Sequence, residues 1–315
     1  MYLKIIFLIL NCYVLISDAK RMIGWYLGYP PLNKIPWAMY THIRTGDPLV
    51  MPNGTAICNN SKSMNLLIHE AHRHNVLVQW GLGLQDVWEW PHINKTLLTN
   101  YLQSIGNAVR VCEIDGIEVD YEYQDKITPL GIVTPAASEH YSQFLVNVKK
   151  AMGPDKIISA DISIWGIAAG NYILGFLPWI NASLVNSGQI DFINTMSYHW
   201  NHNGDIFAWK KDYFFLTTLW GFDPSRINLG LPYYSRLDNG SEPTWAHLSH
   251  LCPNIAYTSN VCNDIIFTGK KMNYDIGVFI KDKNLGGAFP WALSYDAIDN
   301  NNTLVTYLSH GMGNN

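Results

Sequence analysis

Acidic and apolar side chains alternate from residue 117 to residue 122, in the segment Ile-Glu-Val-Asp-Tyr-Glu. On a β-strand, residues two apart lie on one face, so Glu118, Asp120 and Glu122 are predicted to point the same way. Carboxylates this close together repel each other when all are ionised, and at least one pKa must therefore rise. A carboxylic acid that keeps its proton near neutral pH is what hydrolysis of a glycosidic bond requires.

An exposed acidic strand at the edge of a sheet shows the same alternation, so the spacing alone leaves both interpretations open. The catalytic interpretation is favoured if the segment is a middle strand of a closed parallel barrel, which has no edges. Ile117, Val119 and Tyr121 would then face the surrounding helices, and the acidic set would face the barrel axis. Glu122 comes last, nearest the C-terminal mouth where barrel active sites form, and we predict it as the acid/base.

The rest of the chain predicts such a barrel, because short β-rich segments alternate with longer amphipathic ones. The clearest amphipathic segment is Ser138–Met152, in which Tyr141, Phe144, Leu145 and Val148 recur at helical spacing. This alternation predicts an α/β fold, a single (β/α)8 TIM barrel. The predicted strands are Met22–Tyr29, Met39–Ile43, Val76–Trp80, Gly116–Tyr121, Ile157–Ile162, Phe192–Tyr198, Ile227–Pro232 and Gly286–Trp291.

Residues 1–19 are typical of a secretory signal peptide. Lys4 precedes an interrupted apolar run, and Ser17 and Ala19 are small residues at the usual cleavage positions. A buried first strand and a membrane anchor are the alternatives, although the run is short for crossing a bilayer. We expect a secreted, extracellular protein whose catalytic barrel comprises residues 20–315.

Composition and charge exclude several other classes of function. The 315-residue chain is 48% hydrophobic and 15% charged, which supports a large core. Its net charge of −4 disfavours nucleic acid or an anionic membrane as a partner. Gly81-Leu82-Gly83 lacks the third glycine of a dinucleotide-binding loop, and His69-Glu70-Ala71-His72 lacks the spacing of a zinc-protease motif. We expect a monomer with no cofactor and no metal site.

Four cysteines follow the predicted signal peptide. Cys252 and Cys262 lie close together in a loop-rich stretch, and they are predicted to form a disulfide bond in an oxidising compartment. The sequence leaves the pairing of Cys58 and Cys112 open. Sequons that a secreted chain can glycosylate begin at Asn53, Asn59, Asn94, Asn181, Asn239 and Asn301.

Several stretches at predicted strand ends resemble the motifs of glycoside hydrolase family 18, the chitinases. The acidic strand is similar to the family signature DxxDxDxE, which runs here from Asp115 to Glu122. The resemblance extends over nearly the whole mature chain, and it implies chitin or N-acetylglucosamine oligosaccharides as the substrate. The other matching stretches are Gly24-Trp25-Tyr26, Met196-Ser197-Tyr198, Gly230–Arg236 and Gly286–Trp291.

The resemblance also implies a mechanism that retains the anomeric configuration with help from the substrate itself. Glu122 would protonate the glycosidic oxygen while the substrate's acetamido oxygen attacks C1. Asp120 would hold the acetamido N–H, Tyr198 would donate to its oxygen, and Trp291 would stack under the distorted sugar. The catalytic set includes Glu118 as well, and the remaining substrate-binding residues are expected to be Tyr26, Gln79, Met196, Tyr233 and Arg236.

Some positions depart from the family pattern. The middle aspartate of the signature is Glu118, one methylene longer, and the serine that supports it on the third strand is Gln79. We predict that Gln79 pairs with Glu118 and so compensates for the change. The aspartate that follows the sixth-strand tyrosine is His199. The family's large insertion after the seventh strand is absent or much reduced, which predicts an open cleft and endo action.

The leading hypothesis is therefore an endo-acting chitinase that hydrolyses β-1,4 linkages between N-acetylglucosamine units. An endo-β-N-acetylglucosaminidase acting on N-glycan cores uses the same catalytic pair and is the nearest alternative. A catalytically impaired chitin-binding lectin on the same barrel is a third hypothesis. Retention of Asp120 and Glu122 argues against the lectin, whereas the changes at Glu118 and His199 keep it open.

Overall fold

Eight parallel strands close into a barrel in the computed structural model of the chain. The residues described are 19–83, 95–120, 135–162, 180–198, 206–235, 237, 241–298 and 303–314. The barrel strands are β1 (Arg21–Trp25), β2 (His42–Thr45), β3 (Leu77–Gly83), β4 (Gly116–Asp120), β5 (Ile157–Ile162), β6 (Phe192–Thr195), β7 (Ile227–Pro232) and β8 (Gly287–Trp291). Each strand pairs with the next, and β8 returns to β1, so the predicted TIM barrel is confirmed.

Helices surround the strands and bury their apolar stripes against them. The predicted helical segment Ser138–Met152 lies within a longer helix, in which Tyr141, Leu145 and Val148 are fully buried. The helices are α1 (Lys62–Arg73), α2 (Lys95–Val111), α3 (Pro135–Met152), α4 (Ala182–Asn186), α5 (Phe207–Phe214), α6 (Trp245–Leu251), α7 (Lys270–Asp282) and α8 (Leu304–Met312). Within the described ranges, none of these helices has the length and apolar character needed to span a membrane.

Shorter elements occur in the connections. They are two-residue strand pairs, Leu49–Val50 with Ala56–Ile57 and Val261–Cys262 with Ile265–Ile266, single 3₁₀ turns at Leu32–Lys34, Trp37–Met39, Pro224–Arg226 and Leu293–Tyr295, and a π-helical turn at Phe215–Leu219.

The predicted second strand, Met39–Ile43, has the wrong bounds. A 3₁₀ turn occupies Trp37–Met39, so the chain becomes extended into the barrel only afterwards, at His42–Thr45. The strand therefore continues past the predicted end and carries Arg44 into the barrel interior. The positive charge of Arg44 therefore lies inside the barrel, whereas the predicted strand ends before this residue.

The first barrel strand begins at Arg21, and it closes the barrel by pairing with both β2 and β8. It ends at Trp25 rather than at the predicted Tyr29. Beyond it, Gly28 has a φ of 90°, a backbone conformation that glycine adopts without steric cost. Residues 1–18, which contain nearly all of the predicted signal peptide, lie outside the described residues.

The connection between β7 and β8 consists of α6, a short hairpin and α7, with no larger inserted sheet among its described residues. This confirms the predicted small or absent insertion. Cys252 at the end of α6 is bonded to Cys262 in the hairpin, as predicted. The pairing that the sequence leaves open is also resolved, because Cys58 is bonded to Cys112.

Aspartates at the lower, N-terminal ends of two strands tie neighbouring strands together. Asp115 precedes β4, and its Oδ2 accepts the Val78 backbone N–H of β3 at 2.7 Å. Asp191 precedes β6, and its Oδ2 accepts the Ile158 N–H of β5 at 2.8 Å. The first aspartate of the acidic signature is therefore a structural residue far from the mouth of the barrel.

Candidate active site

The inner face of β4 carries Glu118 and Asp120, as the alternation in the sequence predicts. Ile117 and Val119 point outward into the core between the strands and the helices. Glu118 is fully buried, whereas 22% of the Asp120 side chain is exposed. The acidic row therefore runs from the barrel interior toward solvent at the C-terminal mouth. Glu122 lies outside the described residues, and its role as the acid stays a prediction.

A buried arginine faces this acidic row. Arg44 of β2 is fully buried, and its Nη1 contacts both Glu118 Oε1 and Asp161 Oδ2. Its Nη2 lies 3.7 Å from Asp120 Oδ2. Burial acts to lower the pKa of Arg44, but the carboxylates of Asp161, Glu118 and Asp120 outweigh it and raise that pKa. The guanidinium is therefore a permanent positive charge among three carboxyl groups.

Two neighbours define the position of this guanidinium. Its Cζ lies 3.3 Å from the centre of the Trp25 ring, a cation–π contact inside the barrel. Gly81 of β3 lies between β2 and β4, below the arginine side chain. A Cβ at position 81 would come within 2.5 Å of Arg44 Nε and 2.7 Å of the Trp25 ring. Glycine leaves the space through which Arg44 reaches across β3 to β4.

A chain of side-chain hydrogen bonds supports the carboxyl groups from below. Asn194 of β6 donates its Nδ2 to Glu118 Oε2 at 2.8 Å and to Asp161 Oδ1 at 3.1 Å. Its Oδ1 accepts from Asn228 Nδ2 of β7 at 2.8 Å, and Asn228 Oδ1 accepts from Arg21 Nε at 2.9 Å. Because each amide oxygen faces a donor, both asparagine orientations are fixed along the chain.

The surroundings of Glu118 favour its protonated form. Burial raises its pKa well above the usual 4.5, Arg44 opposes that rise, and Asp161 and Asp120 add to it. One arginine does not balance three ionised carboxylates, and a neutral form of the fully buried Glu118 lowers the electrostatic cost. The raised pKa that the sequence predicts for the acidic row is thus found at its most buried member.

Tyr198 reaches the same interior from the chain just beyond β6. The β6 residues on its face, Phe192 and Asn194, point into the barrel, and Tyr198 is 5% exposed. A Cβ at position 230 of β7 would lie 2.9 Å from Tyr198 Cε1 and 1.9 Å from the Thr195 carbonyl oxygen. The glycine of the seventh-strand motif is therefore required first by the close approach of the β6 backbone at Thr195 and also by the packing of Tyr198.

Ser197, next to Tyr198, points the opposite way, toward α5. Its hydroxyl lies 2.7 Å from the Thr195 hydroxyl and bonds the Asp212 carboxyl. Burial raises the pKa of Asp212 from 3.8 to about 7, although the Ser197 bond and Lys211 lower it. Met196 is buried beside this segment, and its N–H donates to the Ile162 carbonyl of β5.

Trp291, at the end of β8, is half-buried beside Trp25. Their ring centres are 4.7 Å apart at an angle of 55°. Of the two aromatic residues at the first-strand motif, Trp25 is the one on the inner face. Tyr26 packs against the outer core instead, and its hydroxyl donates to the Pro30 carbonyl at 3.1 Å. The structure does not bring Tyr26 to the site.

In the seventh-strand motif, too, the aromatic residue beside the site lies one position away from the predicted one. Tyr233 is buried in the outer core, near Asp296. Tyr234 contacts Tyr198 edge-on, with ring centres 6.2 Å apart. The predicted substrate contact of Tyr233 therefore falls on the wrong face of the chain, and Tyr234 is the residue beside the site. Arg236 lies outside the described residues.

The predicted pairing of Gln79 with Glu118 is wrong. Gln79 is fully buried on β3, and its Nε2 donates to Ser159 Oγ of β5 at 3.1 Å. The partners of Glu118 are Arg44 and Asn194 instead. The physical reason is the arginine, because a permanent charge at contact distance binds a carboxyl group more strongly than a neutral amide does.

Sequence reasoning missed three residues of this cluster, and each carried a signal. Asp161 lies inside a correctly predicted strand, at the alternate position to the inward Ser159. Asn194 occupies the same kind of position in the sixth predicted strand. A charge or amide within a strand that is buried on both faces is costly, and it indicates a functional or paired group. Arg44 was missed because the predicted strand ends one residue before it.

The chain belongs to family 18 of the glycosyl hydrolases, because the sequence model of Glycosyl hydrolases family 18 matches residues 88–296. The fold and the acidic row thus belong to a glycoside hydrolase, chitinase-like in architecture. A comparison with curated proteins gives no match.

Solved structures share the fold along nearly the whole chain. A chitinase from Bacteroides thetaiotaomicron is 19% identical, with a TM-score of 0.73 over 93% of this chain and 96% of that one. A chitinase from Rhizomucor miehei is 15% identical, with a TM-score of 0.70 over 93% and 100%. A family 18 chitinase from Cycas revoluta, solved in complex with allosamidin, is 15% identical, with a TM-score of 0.70 over 94% and 100%.

Proposed function

We propose that this protein is an endo-acting chitinase that hydrolyses β-1,4-N-acetylglucosamine linkages with retention of configuration. The observation that carries the proposal is the acidic row on β4, with Glu118 buried and Asp120 partly exposed, in a barrel whose strand ends also carry Tyr198 and the Trp25–Trp291 pair. A carboxylate, a phenol and aromatic faces at one barrel mouth match a substrate with an acetamido group and an apolar sugar face. The Cycas revoluta neighbours crystallised with (GlcNAc)3 and (GlcNAc)4 support the same substrate class.

In the proposed first step, the Glu122 proton passes to the glycosidic oxygen and the bond from C1 to that oxygen breaks. The acetamido carbonyl oxygen attacks C1 from the opposite face and forms an oxazolinium ion, so no enzyme carboxylate becomes attached. Asp120 accepts the acetamido N–H and stabilises the positive charge. Tyr198 donates a hydrogen bond from its hydroxyl to the acetamido oxygen and directs that oxygen toward C1.

In the second step, water attacks C1 and returns the acetamido group, while Glu122 takes a proton from that water. Trp291 stacks against the sugar throughout. The exposed fraction of Asp120 supports this role, because its carboxylate borders the mouth rather than the closed interior. Endo action is supported by the short connection between β7 and β8, whose described residues form two helices and a small hairpin rather than a larger sheet.

Secretion belongs to the same proposal. The described residues contain two disulfide bonds, Cys58–Cys112 and Cys252–Cys262, which persist in oxidising compartments. Asn53 is an exposed sequon residue in a tight turn, where its Oδ1 accepts the Thr55 N–H. Chitin outside the cell would be the accessible polymer for such a protein.

The test compares wild type and Glu122→Gln on a fluorogenic chitotrioside and on long N-acetylglucosamine oligomers. We expect wild type to release the fluorophore and to cut oligomers at internal bonds, and we expect the variant to lose at least about 100-fold in kcat. Release of N-glycans from a glycoprotein, with no oligomer cleavage, would instead identify an endo-β-N-acetylglucosaminidase. Binding of oligomers without turnover in both proteins would identify a lectin.

A further inference from the structure

Arg44 occupies a position in the cluster that the catalytic roles above do not use. It belongs to β2, whereas the acidic row lies on β4, two strands away. Along the sheet, Arg44 is in register with Gln79 of β3, and Gly81 of β3 is in register with Glu118 of β4. The arginine side chain therefore passes over the bare backbone of Gly81 and meets Glu118 on the far side.

The contacts of Glu118 specify one orientation of its carboxyl group. Arg44 Nη1 lies at Oε1, and Asn194 Nδ2 donates to Oε2 at 2.8 Å. Asp161 holds the same two donors, because it contacts Arg44 Nη1 and accepts from Asn194 at 3.1 Å. With Trp25 over the guanidinium, the arginine has contacts from three other strands, and its position is fixed without help from a substrate.

Resting on the proposed function, we propose that Arg44 is a positioning residue for the catalytic strand. It holds the longer Glu118 in place of the serine–aspartate pair of the family and so presents Asp120 to the acetamido group. Its Nη2 lies 3.7 Å from Asp120 Oδ2, farther than its contacts to Glu118 and Asp161. The arginine therefore acts on Asp120 mainly through Glu118, which lies two residues earlier on the same face of β4.

This arrangement accounts for both departures in the sequence. A glutamate is needed at position 118 because an aspartate ends one methylene short of the Arg44 fork. A serine is not needed at position 79 because Glu118 has other donors, and Gln79 instead ties β3 to Ser159 of β5. Arg44, Gly81 and Glu118 therefore depend on one another, because the arginine reaches the longer acid only across the glycine.

The test measures kcat, KM and pH profiles on the fluorogenic chitotrioside for Arg44→Met, Arg44→Lys, Glu118→Asp and Glu118→Gln, and for the double variant Arg44→Met/Glu118→Gln. We expect Arg44→Met to lose about 100-fold in kcat with KM changed by less than about threefold, since positioning acts on the reacting geometry. Arg44→Lys keeps the charge without the fork, and it should recover part of the loss. Glu118→Asp should lose about tenfold in kcat, even though it restores the family residue.

The charged and titratable groups that face Arg44 are Glu118 and Asp120 from β4 and Asp161 from β5, while β1 and β8 contribute the Trp25 and Phe289 rings. Without Arg44, these carboxyl groups lose their positive neighbour. The acidic limb of the kcat/KM profile should therefore move up by about one pH unit or more.

Arg21→Met is the control, because Arg21 is a partly buried barrel arginine that hydrogen-bonds neutral groups, Asn228 and the Ser225 carbonyl. Arg21 connects to Glu118 through Asn228 and Asn194, so its loss removes no cation from contact with the acidic row, and the pH profile should stay in place even if kcat falls. If Arg44 acts through Glu118, the double variant should lose no more in kcat than the worse single variant. Multiplied losses in the double variant, or wild-type kcat and pH profile in folded Arg44→Met, would overturn the inference alone. Absence of turnover by wild type would overturn the proposed function and the inference together.

Discussion

Two arginines on neighbouring strands, Arg21 partly buried and Arg44 fully buried, are held inside the barrel by different kinds of partner. Arg21 lies at the lower end of the barrel, where it donates to Asn228 Oδ1 at 2.9 Å and to the Ser225 carbonyl at 2.6 Å. Its Cζ lies 4.6 Å from the centre of the Phe192 ring. Burial, together with the positive charge of Arg226, lowers the pKa of Arg21 to about 10, although Asp191 opposes that shift.

Arg44, near the mouth, also lies over an aromatic ring, but its partners are carboxyl groups, and its pKa is raised. Neutral acceptors are sufficient to hold the partly buried Arg21. Three carboxyl groups around one arginine are a far more expensive arrangement, and replacing such groups by apolar ones is often neutral for stability. The difference indicates that the charged groups around Arg44, near the mouth, are retained for chemistry. Arg21, at the N-terminal end of the barrel, is retained for packing.

The largest expected effect separates the two arginines by stability. Arg44→Met leaves Asp161 and Glu118 buried without their cation, and we expect it to lower the free energy of unfolding by about 3–5 kcal/mol. Arg21→Met leaves neutral acceptors unpaired, and we expect a loss of about 1–3 kcal/mol. Urea denaturation of both variants at neutral pH provides the measurement. Equal losses would mean that the carboxyl groups gain nothing from Arg44.

A second prediction tests the space that Arg44 needs. Gly81→Ala places a Cβ 2.5 Å from Arg44 Nε, and we expect a loss of about 1–3 kcal/mol in stability together with a fall in kcat. Gly46→Ala is the matched control one residue after β2, because its Cβ would meet nothing within 4 Å. The control should stay within about 0.5 kcal/mol of wild type. A tolerated Gly81→Ala variant with full activity would show that Arg44 does not depend on this gap.

The smallest expected effect concerns the proton on Glu118. Since folding raises the pKa of this group above 4.5, its stabilising contribution is present below that pH and is lost as the pH rises. Glu118→Gln resembles the protonated form at every pH. We therefore expect the variant to lie within about 1 kcal/mol of wild type near pH 5, and to gain on wild type as the pH rises to about 8.

Denaturant titrations of wild type and Glu118→Gln at several pH values measure this difference. Burial also raises the pKa of Asp212 to about 7 and that of Asp296 to about 6, but both groups are present in the two proteins and cancel in the comparison. A pH-independent difference between the proteins would mean that Glu118 is ionised in the folded state.

The sequence predicted the parts of this site that local pattern controls. Period-two alternation places Glu118 and Asp120 on one face, and repeated strand–helix alternation predicts the barrel. Prediction from the sequence failed where a shift of one residue decides which face a side chain takes. Trp25 lies at the site in place of the predicted Tyr26, and Tyr234 in place of the predicted Tyr233. Such residues lie at strand ends, where the pattern that fixes register has already stopped.

The sequence by itself therefore determined a family 18 barrel, an acidic strand on its inner face and a disulfide-braced connection between β7 and β8. The tertiary structure alone decided that a cation from β2 crosses β3 to reach that strand. Local patterns extend over a few residues of one strand, whereas the Arg44–Glu118 contact depends on the stagger of three strands and on the absence of a side chain at Gly81. Only closure of the barrel brings those separate segments to one point.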